Sequence, residues 1–314
     1  MKNLFISFLF LTFFSSLSGE EDYVEETISI ASKVPISREK VIATVDSVDS
    51  VILSKQIPRD VLSILRNSFG IDSSSNGGPG QVASIFLRGS NSNQTLVKIN
   101  GVKINPSTAG GASIYNLDTD LISKIEIGSG AFSSIHGSGA IGGVINISTF
   151  ENSKNNYMDI SLSKGPNNFF KKSLKANLGN RSYAFSLGLL SAKTDGFPTL
   201  TSSLLARGYE NQSYITSIRK ETQTVQGIIS SWYSEGITEY LGFEGIPLSQ
   251  NYKNQAFAFD LTFETNKDFS IVTTLNSSKD YIRQNQKNFL GLTDLTNTDR
   301  KNLEIFFTFT NRRD

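Results

Sequence analysis

The sequence predicts an α+β unit over residues 46–150, followed by antiparallel β-strands of an incomplete transmembrane β-barrel over residues 151–314. Three observations predict it. An Asn-Gly turn between two short apolar strands, with further β-branched strands around it, marks the first unit. Segments of apolar–polar alternation fill the second half. A short apolar leader points to export, and no later apolar run is long enough for a membrane helix.

The leader comprises Lys2, the apolar stretch Leu4–Phe14 and the small residues Ser15–Gly19, so residues 1–19 read as a cleaved signal peptide, with an uncleaved anchor as the alternative. Residues 20–45 read as a polar, mobile arm carrying one β-prone run: Glu26, Thr27, Ile28, Ser29, Ile30, Ala31 and Ser32. A helix is expected next, entered at Pro58, with Val61, Leu62, Leu65 and Phe69 on one face and Gly70 after it. Asn76-Gly-Gly-Pro-Gly80 is a loop by composition, Ser84–Gly89 a strand, and Asn100-Gly101 the turn of a hairpin between Leu96–Ile99 and Val102–Ile104. Asn105–Ala112 forms a second small-residue loop, and Ser123–Ile127 and Val144–Thr149 are strands.

Residues 137–142 match G-x-G-x-x-G, the dinucleotide-binding fingerprint. A strand follows these glycines instead of a helix, so no helix N-terminus is placed to receive a phosphate. The glycines read as packing residues that let the chain turn close to a neighbouring wall. Beyond residue 150, Met158, Ile160 and Leu162 alternate with polar residues, as do Tyr183–Leu189, Phe257–Phe263 and Leu303–Phe309. Apolar-out, polar-in segments of about ten residues suit a membrane barrel, and a soluble sandwich is the alternative.

Composition narrows the function. Net charge is +1, which shows no footprint for nucleic acid. Cysteine is absent and His136 is the only histidine, so thiolate and histidine-rich metal sites and cysteine nucleophiles are excluded. Neither G-x-S-x-G nor H-E-x-x-H occurs, and no catalytic constellation, cofactor site or metal site is expected. The chain does not read as an enzyme.

Residues 25–150 resemble the plug domain of TonB-dependent outer-membrane receptors, and most closely the cobalamin receptors among them. The stretches that carry the resemblance are "DSSSNGGPGQVASIFLRGSNSNQTLVKINGVKIN" from Asp72 and "IEIGSGAFSSIHGSGAIGGVINIST" from Ile125. The sequence departs from the family pattern at Ser129-Gly130, at Asn100 and at His136, where a tyrosine is common; His136 is expected as a packed ring at the plug edge.

The resemblance implies location in the outer membrane, in contact with its lipid, and uptake of a large scarce nutrient, a corrinoid or an iron-siderophore. It makes Glu26–Ser32 a TonB box, gripped by a TonB-like periplasmic energy transducer through strand addition. The outward plug loops then offer ligand-binding residues: Asn76, Gly77, Gly78 and Gln81, with Asn105, Pro106, Ser107 and Thr108. Arg88 and Glu126 look like a buried plug charge pair.

Residues 151–314, at about 20 residues per strand and connection, give roughly eight strands, whereas the receptors close a barrel of about 22. A closed eight-stranded barrel has room only for side chains. The expectation is therefore an open, curved sheet around the plug, from a fragment, a truncated gene or a split protein. A non-transporting remnant or secreted plug-fold module is the competing class.

Overall fold

A computed structural model describes residues 27–32, 36–55, 60–68, 70–107, 111–150, 156–201, 203–242, 245–266, 269–286 and 293–309. The expected leader, Glu26, Pro58, Phe69 and Thr108 lie outside the described residues.

The first unit is built on a five-stranded sheet. Its strands are β3 (Val45–Asp49), β8 (Lys124–Ser129), β9 (Gly143–Ser148), β6 (Thr95–Ile99) and β7 (Val102–Lys103), in that spatial order. Strands β6 and β9 run parallel, and the other neighbours antiparallel. The β6–β7 turn forms as expected: Asn100 and Gly101 take φ of 50° and 80°, the double left-handed pattern of a type I′ turn. A ribbon of β4 (Ile71–Ser75) and β5 (Ala83–Leu87) packs beside the sheet. Strand β4 was not expected, because Asp-Ser-Ser-Ser carries little β propensity and pairing with β5 supplies the order.

The expected helix is shorter than its pattern. It runs Val61–Arg66, and Asp60 caps it by accepting the Ser63 N–H at 2.7 Å. Val61, Leu62, Ile64 and Leu65 are buried, and Gly70, at φ 76°, turns the chain into β4. A further helix, Ser50–Lys55, starts where Asp49 accepts the Ile52 N–H at 2.9 Å. Its β-branched content hid it from the sequence reading.

The second unit is one antiparallel meander of eight strands, paired in chain order and unclosed. They are β10 (Tyr157–Lys164), β11 (Phe170–Gly179), β12 (Tyr183–Pro198), β13 (Ala206–Glu221), β14 (Val225–Leu241), β15 (Pro247–Asn266), β16 (Phe269–Gln284) and β17 (Leu295–Phe309). On the outer face Ile160, Leu162, Phe185, Ile218, Ile229, Phe257, Leu303 and Phe307 are exposed, an apolar band of the kind that faces lipid. The inner face carries buried Asn177, Ser186, Asn211, Ser213, Ser234 and Asn254. Connections 180–182, 222–224 and 267–268 at one end are shorter than 199–205 and 285–294 at the other, which marks the second end as the outer one.

The first unit sits in the concavity of this wall. One apolar cluster joins Leu65, Leu87, Ile99, Ile114, Leu121, Ile125 and Ile147 to Leu190, Ile215, Trp232 and Ala256 of the wall. A polar seam closes around it. Asn116 donates to Asn254 Oδ1 at 2.8 Å, and its carbonyl accepts from Asn211 and Ser234 at 3.1 Å each. Lys175 Nζ reaches the Ile122 carbonyl at 2.8 Å, and Lys171 pairs with Asp118 at 3.0 Å and Asp120 at 2.9 Å. Burial raises the Asp118 carboxyl above its ordinary range, and neighbouring Lys171 pulls it part of the way back. Burial likewise lifts the Tyr115 phenol to about 12.

Candidate functional site

The arm was expected to be mobile, but its described part is docked. Residues Thr27–Ile28 form β1, paired antiparallel with β2 (Ile36–Ser37). Ile28 and Ile30 are completely buried among Val45, Leu96, Phe132, Ala140 and Val144. Between them Ser29 is clasped from both sides. Its N–H donates to Glu126 Oε2 at 3.1 Å and its hydroxyl to the same carboxylate, while Asn146 Nδ2 donates to Ser29 Oγ at 3.1 Å. Glu126 and Asn146 can do this because they are directly paired across β8 and β9. Asn146 also accepts the Gly101 N–H at 3.0 Å, which ties the arm to the β6–β7 hairpin.

His136 makes a further tie. Its Nε2 lies 2.8 Å from the Ile30 carbonyl and its Nδ1 lies 3.1 Å from Lys98 Nζ. A neutral ring protonated on Nε2 satisfies both, donating to the carbonyl and accepting from the ammonium. The sequence reading placed His136 as a packed ring, and it missed Asn146 and Lys98. The signal for Asn146 is an asparagine in a strand buried on both faces.

The clasp gives a direct expectation. Glu126→Ala removes charge-assisted bonds worth about 2 kcal/mol, so the arm opens roughly 30-fold more often. Hydrogen exchange at the Ser29 amide reads this, since that N–H is the donor to Glu126. An unchanged exchange rate would show that the clasp contributes nothing to docking.

The charge pair expected between Arg88 and Glu126 is absent. Glu126 instead pairs with Lys124 at 3.0 Å and holds Ser29. Arg88 is exposed in the turn that ends β5, at φ 51°, on the ribbon and not on the sheet that carries Glu126. The left-handed turn directs the chain away before the side chain can reach inward.

The first predicted loop sits against the outer end of the wall. A Cβ on Gly77 would lie 2.6 Å from Thr199, and one on Gly78 3.0 Å from Phe197. Gly80, at φ 73°, lies so close that a Cβ would fall 2.1 Å from the Tyr209 ring. Asn76 is exposed. Gln81 is buried, and its amide donates to the Glu239 carbonyl, so it anchors the loop to β14 instead of facing solvent.

In the second loop Asn105 is likewise committed inward. Its Oδ1 accepts the Val97 N–H at 2.8 Å and its Nδ2 donates to the Thr95 carbonyl at 3.0 Å, which extends the hairpin's ladder with a side chain. Pro106 is half-buried and Ser107 is exposed, its N–H 3.3 Å from Thr298 Oγ1. Arg300 grips the Asn105 carbonyl at 3.2 Å. Of the predicted ligand residues described, Asn76 and Ser107 present exposed side chains, whereas Gln81 and Asn105 position the loops.

In the glycine motif Gly137 has open space around it, whereas a Cβ on Gly142 would meet Ser90 Oγ at 2.1 Å, and close packing continues at Gly143 just after it. A Cβ on Gly143 would meet Leu87 Cδ2 at 2.1 Å and the Gly128 carbonyl at 2.3 Å, both within the first unit and not in the wall.

Comparison with known proteins agrees with this architecture. The family model described as the TonB-dependent receptor plug domain matches residues 37–144. The chain is 32% identical over 277 residues to a vitamin B12 transporter, BtuB, of Vibrio vulnificus strain YJ016, covering 86% of this chain and 43% of the relative. A second BtuB, of Vibrio vulnificus strain CMCP6, is 30% identical over 238 residues, covering 73% of this chain and 38% of the relative. The chain thus spans less than half the length of these curated relatives.

Among solved structures, the siderophore receptor PiuA of Acinetobacter baumannii matches with a TM-score of 0.69 at 15% identity, over 91% of this chain and 45% of that one. The alcaligin outer-membrane receptor FauA of Bordetella pertussis matches with a TM-score of 0.71 at 15% identity, over 92% of this chain and 47% of that one. These two share the fold. With its plug seated inside eight strands of an open barrel wall, the chain belongs to the TonB-dependent receptor family.

Proposed function

We propose that this chain serves in an energised outer-membrane receptor that takes up a corrinoid. The observation that carries the ligand class is its 32% identity, over 86% of the chain, with a vitamin B12 transporter. The geometry supports the mode of action. A plug sealed by apolar contacts and a polar seam closes the wall's concavity, so passage requires the plug to move. The outer membrane holds no nucleotide fuel, and work has to arrive through a segment that a periplasmic partner can grip.

Residues 27–32 supply such a segment. In the docked state Thr27–Ile28 already pair with β2 and the Ser29 N–H is engaged, so a partner strand competes for the same main-chain groups. Release of the clasp is therefore part of engagement. Ligand meets the exposed face of the outward loops at Asn76 and Ser107, and Asn146 links the β6–β7 hairpin that leads into the second loop to the clasped Ser29.

Uptake tests the reading. Cells whose only receptor is the complete product carrying this chain should accumulate labelled cyanocobalamin, and deletion of its gene should abolish that uptake. Corrinoid uptake unchanged by the deletion would rule the ligand out.

A further inference from the structure

A buried cation with no ion pair among the described residues lies next to the first outward loop. Arg207 belongs to the outer end of β13, where inward residues Arg207, Tyr209 and Asn211 are buried and Glu210 and Gln212 are exposed. It pairs with Phe197 of β12, just past a bulge spanning Thr194 to Phe197. At that bulge Gly196 takes φ 69°, and a Cβ would overlap the Arg207 carbonyl, so the strands cross here at closer range than a side chain permits.

The Arg207 side chain is 8% exposed, and its Nε and Nη2 have no hydrogen-bond partner among the described residues. The carboxylates nearby in sequence and register are turned elsewhere. Glu210 pairs with Lys193 on the outer face, Glu239 accepts the Gly208 N–H at 3.0 Å, and Asp195 accepts from Asn168 at 2.6 Å. The Thr238 hydroxyl, on β14 in register with Tyr209, is a second buried polar group without a partner.

Thr238 lies beneath the glycine loop, and Arg207 lies beside it, in register with the Phe197 that the loop touches. A Cβ on Gly80 would fall 2.9 Å from Thr238 Oγ1 and 2.1 Å from the Tyr209 ring, and one on Gly78 would fall 3.0 Å from Phe197. Between Gly77 and Gly80 the loop carries no side chain but that of Pro79, and lifting it breaks the tie that Gln81 makes to the Glu239 carbonyl. A buried guanidinium left unpaired is strongly disfavoured unless something neutralises it.

We infer that Arg207 is an anion-binding residue of the ligand site, reached when the loop over Gly77–Gly80 lifts. Its fork takes two oxygens of a phosphodiester or a similarly anionic ligand group, and the Thr238 hydroxyl donates to the same group. The inference rests on the receptor reading above, which brings ligand to the outer side of this loop. The shared chemistry is a pair of anionic oxygens, and two ligands can bring it: the phosphodiester of a cobalamin or the oxygens of an anionic ferric chelate.

Binding to outer-membrane vesicles containing the full-length receptor tests this. Cyanocobalamin carries the phosphodiester and dicyanocobinamide lacks it. Arg207→Gln should weaken cyanocobalamin about tenfold or more and leave dicyanocobinamide within about twofold, with Arg207→Lys in between. Equal loss for both corrinoids assigns Arg207 a structural role and overturns the inference, as does no loss for either. Should the wild-type receptor bind no corrinoid, the corrinoid reading fails by itself. The same variants are then compared on anionic ferric enterobactin and neutral ferrichrome. Selective loss on the anionic chelate upholds the site with that source, and any other result, including no binding of either, overturns it.

Discussion

Replacing Gly143 with alanine is expected to unseat the plug. The residue holds φ 155°, and an added Cβ would sit 2.1 Å from Leu87 Cδ2 and 2.3 Å from the Gly128 carbonyl oxygen. Leu87 is fully buried in the core, and Gly128 is backbone of the neighbouring strand, so neither can swing aside. Overpacking costs about 1–3 kcal/mol and a disfavoured backbone conformation about as much again. Together these reach a large part of the roughly 5–15 kcal/mol that holds an ordinary domain.

The reporter is built in. Trp232 is the single tryptophan and is 2% exposed, in the cluster that the plug shares with the wall. Loss of the plug opens that cluster, so G143A should show red-shifted emission and an earlier denaturant midpoint. Gly227→Ala is the control, since its Cβ would meet only Leu261, at 3.9 Å. If G143A unfolds at the same midpoint as the control, close packing is not why glycine stands there.

Replacing Ile28 with proline should abolish energised uptake while sparing ligand binding. Proline removes the N–H that a partner strand needs and locks φ, so strand addition at this position fails. It also removes a side chain that is completely buried against Val144 and Phe132, which loosens the docked arm. Uptake of cyanocobalamin should drop by about tenfold or more, whereas its equilibrium binding to vesicles, set by the outward loops, should move less than about twofold. Equal loss of binding and uptake would instead make the arm a structural strand of the plug.

Much of the fold is legible locally because its causes are local. Asn100-Gly101 dictates its own turn, since asparagine and glycine tolerate positive φ. The wall is legible from alternation, as outward Phe257 and Phe263 and inward Ala256 and Ala258 share one strand. The helix at Val61–Arg66 shows in its apolar spacing, and the Asp60 cap decides its start.

Partner choice is another matter. A carboxylate in a strand announces burial but not its mate: Glu126 meets Ser29, 97 residues away, and not Arg88. Gln81 and Asn105 have the composition of ligand-facing loop residues, yet each is drawn inward by a backbone group, the Glu239 carbonyl in one case and the Val97 N–H in the other. Arg207 gave no signal, because a basic residue in an alternating strand reads the same whether it faces water or a closed corner.

By itself, then, the sequence determined the elements and the faces they present, because φ preference and side-chain period act within a few residues. It also determined that the glycines after His136 lead into a strand and not into a phosphate-facing helix. The tertiary structure alone decided that the arm is docked, that Glu126 and Asn146 clasp it, and that Arg207 is buried with no partner among the described residues. Each of these depends on groups brought together across long stretches of chain, where the need to satisfy buried polar atoms outweighs any local preference.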